Sequence, residues 1–538
     1  MAGLAAAFGS GAMTNSIADL SQSKCYLITG TNTTENHPVI ATFIKRAVVQ
    51  QGAKLILVDP RDIELARFAT VWLRQKPGTD IAWINGFINT IISEGLADEK
   101  FIAERTENFD AVKEAVKKYT PEYVESITGI EKDDFVKAAR IYAEAGASAI
   151  LYAMGITQHI TGTDNVKSLA NLAMVTGNIG RPGTGVNPLR GQNNVQGACD
   201  MACLPGNLPG YRKVGDDEHR KPFEDAWGVT LPSKPGLTIP KMLDGAGDGS
   251  LKALFVMGEN PMMSDPDIDH VEKALNNLEL FVVQDIFLNE SGHLAHVVLP
   301  SAGWAEKDGT YTNTERRVQR IRKVVDAPGD SLPDWEVLKM LANKLGASWN
   351  YSNVREIMEE LSAVTASYKG ITYDRIEDIG IHWPCPSVDH PGTPILHAKA
   401  FTRGKGLFSV TEHIPPAELP DDEYPFLLTT GRILYQFHTA TMTRRSKGLV
   451  SRTPDVFVEI NPEDAGKLGI CQGDKLEVAS RRGTITVSAD ITERCDKGIV
   501  FIPFHYSEAA VNRLTNPAID PVANIPEYKV CAVKIEKL

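Results

Sequence analysis

The chain has 538 residues, too many for one hydrophobic core, so three or four domains are expected. An apolar content of 43% and a charged content of 23% are those of ordinary globular protein. The net charge of −12 leaves no basic footprint for nucleic acid and no attraction to anionic lipid, and no apolar run approaches the roughly 20 residues that span a bilayer.

In chain order, MAGLAAAF (1–8) is apolar but lacks a positive flank, so it makes a poor signal peptide. KCYLITG (24–30) reads as a strand ending in Gly, HPVIATFIKRAVVQQGA (37–53) as a helix and KLILVDPR (54–61) as a second strand. Strand, helix and strand so closely spaced predict a βαβ unit with a parallel sheet. DDFVKAARIYAEAGA (133–147) and SAILYAMG (148–155) add a helix and a strand, so residues 1–190 are expected to form an α/β dinucleotide-binding domain.

The loop GVNPLRGQNNVQGACDM (185–201) sets one cation, Arg190, among Gly, Asn and Gln, which suits a small anion beside a polar ligand. Residues 191–345 repeat the α/β grammar through LKALFVMGENP (251–261), VEKALNNL (271–278), LELFVVQDIF (278–287) and HVVLP (296–300). Residues 346–423 turn proline-rich and read as an irregular linker or cap. From 424 to 538, short β-branched runs between turn residues predict an antiparallel β-barrel.

Ligands in open α/β sheets bind beyond the carboxyl ends of strands. Those ends carry Gly30 with Asn32 and Asn36, Asp59 and Arg61, Gly78 and Asp80, Gly155 and Gln158, then Gly258, Glu259 and Asn260, and Gln284 with Asp285. Six polar or glycine-bearing ends point to two nucleotide-sized ligands or one very large one, although each alone reads as a helix cap. A GxGxxG fingerprint and a Walker loop are absent. In TTGRILYQFHTATMTRRS (429–446), Gly431, Arg432, Gln436, His438, Thr439 and Thr441 cluster after a strand, which alone reads equally as a solvated hairpin loop. Seven dispersed cysteines without a CxxC pair argue for a reducing compartment and offer no cluster or zinc site. The HxxH of His293 and His296 reads as local structure.

Four long motifs in order, LRGQNNVQGACDM (189–201), AEKDGTYTNTERRVQ (305–319), TTGRILYQFHTATMTRRS and IPEYKVCAVKI (525–535), resemble those of the molybdopterin-dependent formate dehydrogenases. These belong to the dimethyl sulfoxide reductase superfamily, and the likeness runs from the first residues to the last. It implies two αβα dinucleotide-binding domains with mainly parallel sheets, and a C-terminal antiparallel barrel. It also implies molybdenum or tungsten between two molybdopterin guanine dinucleotides, interconverting formate and carbon dioxide, with an iron–sulfur electron-transfer subunit as partner.

The resemblance gives Arg190 the formate and places Gln192 near a pterin. One cofactor would use Gly30, Asn32, Asn36, Asp59, Arg61, Gly78 and Asp80. The other would use Gly155, Gln158, Gly258, Glu259, Asn260, Gln284, Asp285 and Asp308. Thr430, Gly431, Arg432, His438, Asn524, Tyr528 and Lys529 of the barrel would close over both pterins. Many strand-end donors suit two large anions, and an arginine fork orients a carboxylate better than a lysine.

The chain departs from the family at its start. MAGLAAAFGSGAM resembles the segment just after the family's metal-ligating selenocysteine or cysteine and its neighbouring histidine. The cysteines of a [4Fe–4S] cluster, a lysine relaying electrons and half of the second α/β domain lie upstream of it in the family. No cysteine here matches the metal ligand, so no metal-binding residue is expected. The chain reads as the C-terminal part of a longer selenoprotein of the cytoplasm, without direct membrane insertion. Alone it would be catalytically poor and would expose apolar surface and sheet edges in its second α/β domain. The competing readings are another molybdopterin oxidoreductase, of the nitrate reductase type, and a non-catalytic scaffold that holds the cofactor.

Overall fold

The apolar runs after residue 24 are too short for helices and end at glycine or polar residues, so they pair as strands. The computed structural model describes residues 1–538. They divide into one unit of residues 1–191, 265–268 and 395–538 and another of 192–264 and 269–394.

The first unit begins with α1 (Ala2–Phe8), whose Leu4, Ala7 and Phe8 are buried. The strands β1 (Cys25–Thr29), β2 (Lys54–Val58), β3 (Val71–Leu73), β4 (Ser148–Tyr152) and β5 (Gly185–Pro188) form a parallel sheet in the order β3-β2-β1-β4-β5. The order reverses between β1 and β4, which is where open α/β sheets leave a crevice for ligands. Helices α2 (Pro38–Gln51), α3 (Asp80–Ser93), α4 (Lys132–Glu144) and α5 (Gly162–Val175) complete the domain. Alternate strand residues enter two cores: Leu27, Ile56 and Ile150 meet Trp83 and Phe87 of α3, whereas Tyr26, Ile28 and Leu57 meet Ile40 and Ile44 of α2. Cover on both faces explains why these strands read as unbroken apolar runs.

In the other unit, α6 (Ile239–Asp248) and α7 (Ile268–Asn276) pack Leu243, Val271 and Leu275 against Phe281 and Val283. The sheet beneath them is parallel, in the order β8-β7-β6, from β6 (Ala253–Met257), β7 (Leu280–Asp285) and β8 (Val297–Pro300). Parallel sheets normally carry cover on both faces. Here Met257, Leu280, Val297 and Val298 are 42%, 45%, 43% and 41% exposed. An antiparallel pair, β9 (Gly309–Thr312) and β10 (Arg317–Ile321), and α8 (Asp334–Lys344) follow.

The stretch expected to be irregular contains an 11-residue helix, α9 (Val354–Val364). Asn353 caps it by accepting from the Arg355 and Glu356 amides, a helix-start signal that the nearby prolines obscured. Residues 346–394 of that stretch belong to the second unit and 395–423 to the first.

The C-terminal barrel is closed and six-stranded, in the order β11-β15-β12-β14-β13-β16. Its strands are β11 (Phe426–Gly431), β12 (Phe457–Ile460), β13 (Lys475–Ala479), β14 (Thr484–Ile491), β15 (Ile499–Pro503) and β16 (Cys531–Lys537). It is not wholly antiparallel, for β11 runs parallel to β15 and β12 to β14. Strand spacing predicts how many strands exist, but direction depends on which ones become neighbours, and these pairs are joined by long crossovers. No helix is long and apolar enough to cross a membrane.

Candidate functional site

At the switch point, Gly30 ends β1 with φ +57° and its carbonyl accepts from the Gly155 amide at 2.9 Å. A Cβ on Gly155 would lie 2.5 Å from the Gly30 Cα, so neither position accepts a side chain without moving backbone. Gln158 follows, half-buried, after the short turn Met154–Thr157. The chain beyond Gly30 is unusual in its unmet hydrogen bonds. Thr31 Oγ1, Asn32 Oδ1 and Nδ2, Thr33 Oγ1, Thr34 Oγ1, Glu35 Oε2 and His37 Nδ1 are all buried without a partner. Buried polar atoms are ordinarily paired, because stranding one costs about 1–3 kcal/mol. A polar ligand laid along residues 31–35 would satisfy the atoms of that stretch. Asn36 turns its amide back onto the Asn32 carbonyl at 3.0 Å.

Beyond β2, Asp59 accepts from the Arg61 amide at 2.9 Å, and burial lifts its carboxyl to about 6. The Arg61 guanidinium is committed to Glu459 of β12 through bonds of 2.8 and 2.7 Å, and stacks over Phe501 at 3.5 Å. Gly78, with φ +82°, meets Pro416, and Asp80 opens α3, its carboxyl lifted to about 7 by burial. His159 lies 3.7 Å from Asp80 and 3.9 Å from Glu527, and burial pushes its imidazole down to about 4.

The barrel contributes the opposite wall. Lys529 donates to the Thr430 carbonyl at 2.7 Å, and the Thr430 hydroxyl donates to the Tyr528 carbonyl at 2.8 Å. Burial, with Arg432 nearby, pulls the Lys529 ammonium down to about 7, and burial pulls Arg432 to about 10. Gly431 sits against the Phe501 ring. His438 and Asn524 both take left-handed backbone, at φ +49° and +54°. His505 Nδ1 donates to the His438 carbonyl at 2.5 Å while Nε2 accepts from the Ile433 amide at 3.1 Å, which fixes a neutral tautomer. Burial lifts the Tyr528 hydroxyl well above its ordinary range.

Arg190 leaves β5 at the same end of the sheet, half-buried, with one guanidinium N–H 3.4 Å from the Gly11 carbonyl. Its own carbonyl accepts from His37 Nε2 at 2.7 Å, and the next carbonyl, of Gly191, accepts from Arg432 at 3.2 Å. The first unit thus gathers Arg190, Gly30, Asn32, Asp59, Asp80, Gly155, Arg432 and Lys529 around ends of one sheet and the barrel rim.

Gln192 is the first residue of the other unit, where the remaining positions are more fully engaged. Gly258, with φ +66°, donates to the Gln284 carbonyl at 2.9 Å. Asn260 donates to Glu290 at 2.7 Å and accepts from the Ser291 hydroxyl at 2.8 Å, whereas Asp285 caps the Ile286 amide and holds Asn289. Gln284 binds Asp334 at 2.8 Å, leaving its Oε1 unpartnered. Glu259 and Asp308 are exposed. Sequence reasoning missed His37, His159, Glu459 and His505. For His37 the signal was present, since it directly precedes Pro38, the first residue of α2.

The chemistry of a guanine dinucleotide fits the first unit. Unpartnered hydroxyls and amides suit a diphosphate, Lys529 and Arg432 are buried cationic side chains, and the Asp59 and Asp80 carboxyls have the chemistry to accept from N–H groups such as those of guanine.

The molybdopterin oxidoreductase family matches residues 3–344, and the molybdopterin dinucleotide binding domain matches residues 426–532. The chain is 55% identical to the F420-dependent formate dehydrogenase subunit alpha of Methanocaldococcus jannaschii, covering all of this chain and 80% of that protein. It is 51% identical to F420-dependent formate dehydrogenase 1 subunit alpha of Methanococcus maripaludis, again over 100% and 80%. Formate dehydrogenase H of Escherichia coli is 38% identical over 100% of this chain and 76% of its own. Among solved structures, acetylene hydratase from Pelobacter acetylenicus shares the fold with a TM-score of 0.78 at 20% identity, over 100% of this chain and 80% of that one.

Proposed function

Because the chain belongs to the molybdopterin oxidoreductase family, we propose that it works as the alpha subunit of a formate dehydrogenase, with Arg190 orienting formate. One observation carries the reading. The Arg190 guanidinium stands on a loop at the same sheet end as the row of buried, unpartnered polar atoms from Thr31 to Glu35.

In this reading one molybdopterin guanine dinucleotide lies along residues 30–35, with Lys529 and Arg432 opposing its charge and Asp59 and Asp80 accepting from guanine. A second is held through Gly258, Gln284 and their neighbours. When bound, the molybdenum or tungsten centre supplies a two-electron acceptor, and formate leaves as carbon dioxide, one proton and two electrons. Arg190 contributes a planar fork that binds the carboxylate bidentately and fixes where its C–H bond points.

Arg61 takes part indirectly in this account, by holding Glu459 and with it the barrel wall. The seven thiols are free and no three His, Cys, Asp or Glu side chains are grouped to hold a metal ion. The F420 dependence in the names of two relatives supports electron delivery toward that acceptor, and their naming as subunit alpha supports further subunits as partners.

Dye assays on the metal-loaded full-length protein test the proposal. Formate-dependent dye reduction is expected. Nitrate-dependent dye oxidation in its place would assign a nitrate reductase type, and protein that holds pterin but turns over neither would assign a scaffold.

A further inference from the structure

The loop that carries Arg190 has little conformation of its own. Pro188 ends β5, Gly191 follows the arginine, and the next residues form only bends and turns before a short helix at Val195. Glycine and asparagine here provide freedom and no packing. The direction of the Arg190 side chain therefore depends on what holds its backbone as well as on the guanidinium's own contact with the Gly11 carbonyl.

Two side chains from distant parts of the first unit do so. His37 Nε2 lies 2.7 Å from the Arg190 carbonyl, and Arg432 donates to the adjacent Gly191 carbonyl at 3.2 Å. Gly191 is what admits Arg432 so closely, because a Cβ there would stand 2.7 Å from its guanidinium. A carbonyl can only accept, so Nε2 of His37 carries a hydrogen, and burial, which holds the imidazole below its ordinary value, favours the neutral ring with Nδ1 bare. His37 is itself held in place, between the helical turn Thr33–Asn36 and α2, whose first residue Pro38 has a fixed φ.

We infer that His37 is a positioning residue for Arg190: its Nε2–H holds the arginine's peptide so that the guanidinium faces formate. The inference rests on the proposal that Arg190 binds formate. It gives His37, which directly follows the row of cofactor-facing polar side chains, a task directed at substrate geometry. Loss of one hydrogen bond is worth about 0.5–1.5 kcal/mol, and misplacing a clamp by about an ångström is costly in catalysis.

The test compares His37→Leu, His37→Gln and Arg190→Lys in the full-length, metal-loaded enzyme, with metal and guanine nucleotide content measured for each. Gln can donate to the same carbonyl and Leu cannot. His37→Leu is expected to raise the formate KM about tenfold with a smaller change in kcat, at unchanged cofactor content and dye KM; His37→Gln is expected to recover most of the loss. An unchanged formate KM in His37→Leu overturns the inference, as does equal impairment of the Gln variant. Loss of guanine nucleotide in either His37 variant also overturns it, by making His37 a cofactor-holding residue. If Arg190→Lys leaves the formate KM unchanged, the underlying proposal fails instead. Where His37→Leu yields no folded protein, His37→Gln decides alone: near-normal KM supports the positioning role and a large rise refutes it.

Discussion

The buried Arg61–Glu459 pair offers the sharpest test of how the site is held together. Glu459 is fully buried on β12 and receives two N–H bonds from Arg61, at 2.8 and 2.7 Å, and one from Arg494 at 2.9 Å. Arg61 is itself buried, with its guanidinium 3.5 Å above the Phe501 ring. Glu459→Gln preserves shape but removes the largest charge that compensates Arg61 there. Breaking a buried ion pair from one side costs about 3–5 kcal/mol, because the remaining charge stays desolvated. Arg494 reaches water and can recover its solvation, so most of the loss is assigned to Arg61. Set against total stabilities of about 5–15 kcal/mol, the change is large. Urea unfolding of the transition that includes the barrel should show it. Arg61→Met with Glu459→Met should cost far less than the two single changes summed, since no charge is left behind. A Glu459→Gln cost below about 1 kcal/mol would place the pair among screened surface bridges and refute the reasoning.

Four further outcomes follow from the same geometry. The Lys529 ammonium is depressed from 10.5 to about 7, so its contribution to stability is present above 10.5 and lost as pH falls through about 7. Lys529→Met should therefore flatten the alkaline-to-neutral decline in melting temperature of cofactor-free protein, and lower guanine nucleotide content when loaded. Asp80 has the opposite sign: raised from 3.8 to about 7, it favours the fold below 3.8 and loses that effect as pH rises through about 7. Asp80→Asn should improve cofactor-free stability above neutral pH, measured as melting temperature, while weakening nucleotide retention. Gly155→Ala drives a Cβ to 2.5 Å from the Gly30 Cα and should cost about 1–3 kcal/mol in urea unfolding. Asn32→Ala removes two stranded polar atoms, so cofactor-free stability in urea unfolding should rise by about 1–3 kcal/mol while nucleotide content falls.

Much of the α/β architecture was legible because local pattern specifies it. The run 24–30 became β1 at Cys25–Thr29, and 37–53 became α2 at Pro38–Gln51, closed by Gly52 at φ +72°. All six C-terminal β-branched runs became barrel strands, but their directions were not legible, because neighbours such as Phe426–Gly431 and Ile499–Pro503 meet only in the fold. The strand-end rule placed Gly30, Asp59 and Asp80 correctly on one side of a sheet. It could not reveal that the Arg61 guanidinium is committed to Glu459, a partner 398 residues away. Nor could it show that Asn260 and Asp285 spend their polar atoms on Ser291, Glu290 and Asn289. His37 precedes Pro38 at a helix start, but that local signal could not reveal its partner carbonyl, which lies 153 residues downstream.

The account stands most directly on the carboxylate clamp. The decisive measurement is the formate KM of the full-length, metal-loaded enzyme with Arg190→Lys against the unaltered protein, at matched metal and guanine nucleotide content. A lysine keeps the charge but loses the planar fork, so the formate KM should rise by about tenfold or more while the cofactor stays bound. An unchanged formate KM at full cofactor content would contradict the claim that Arg190 holds the substrate.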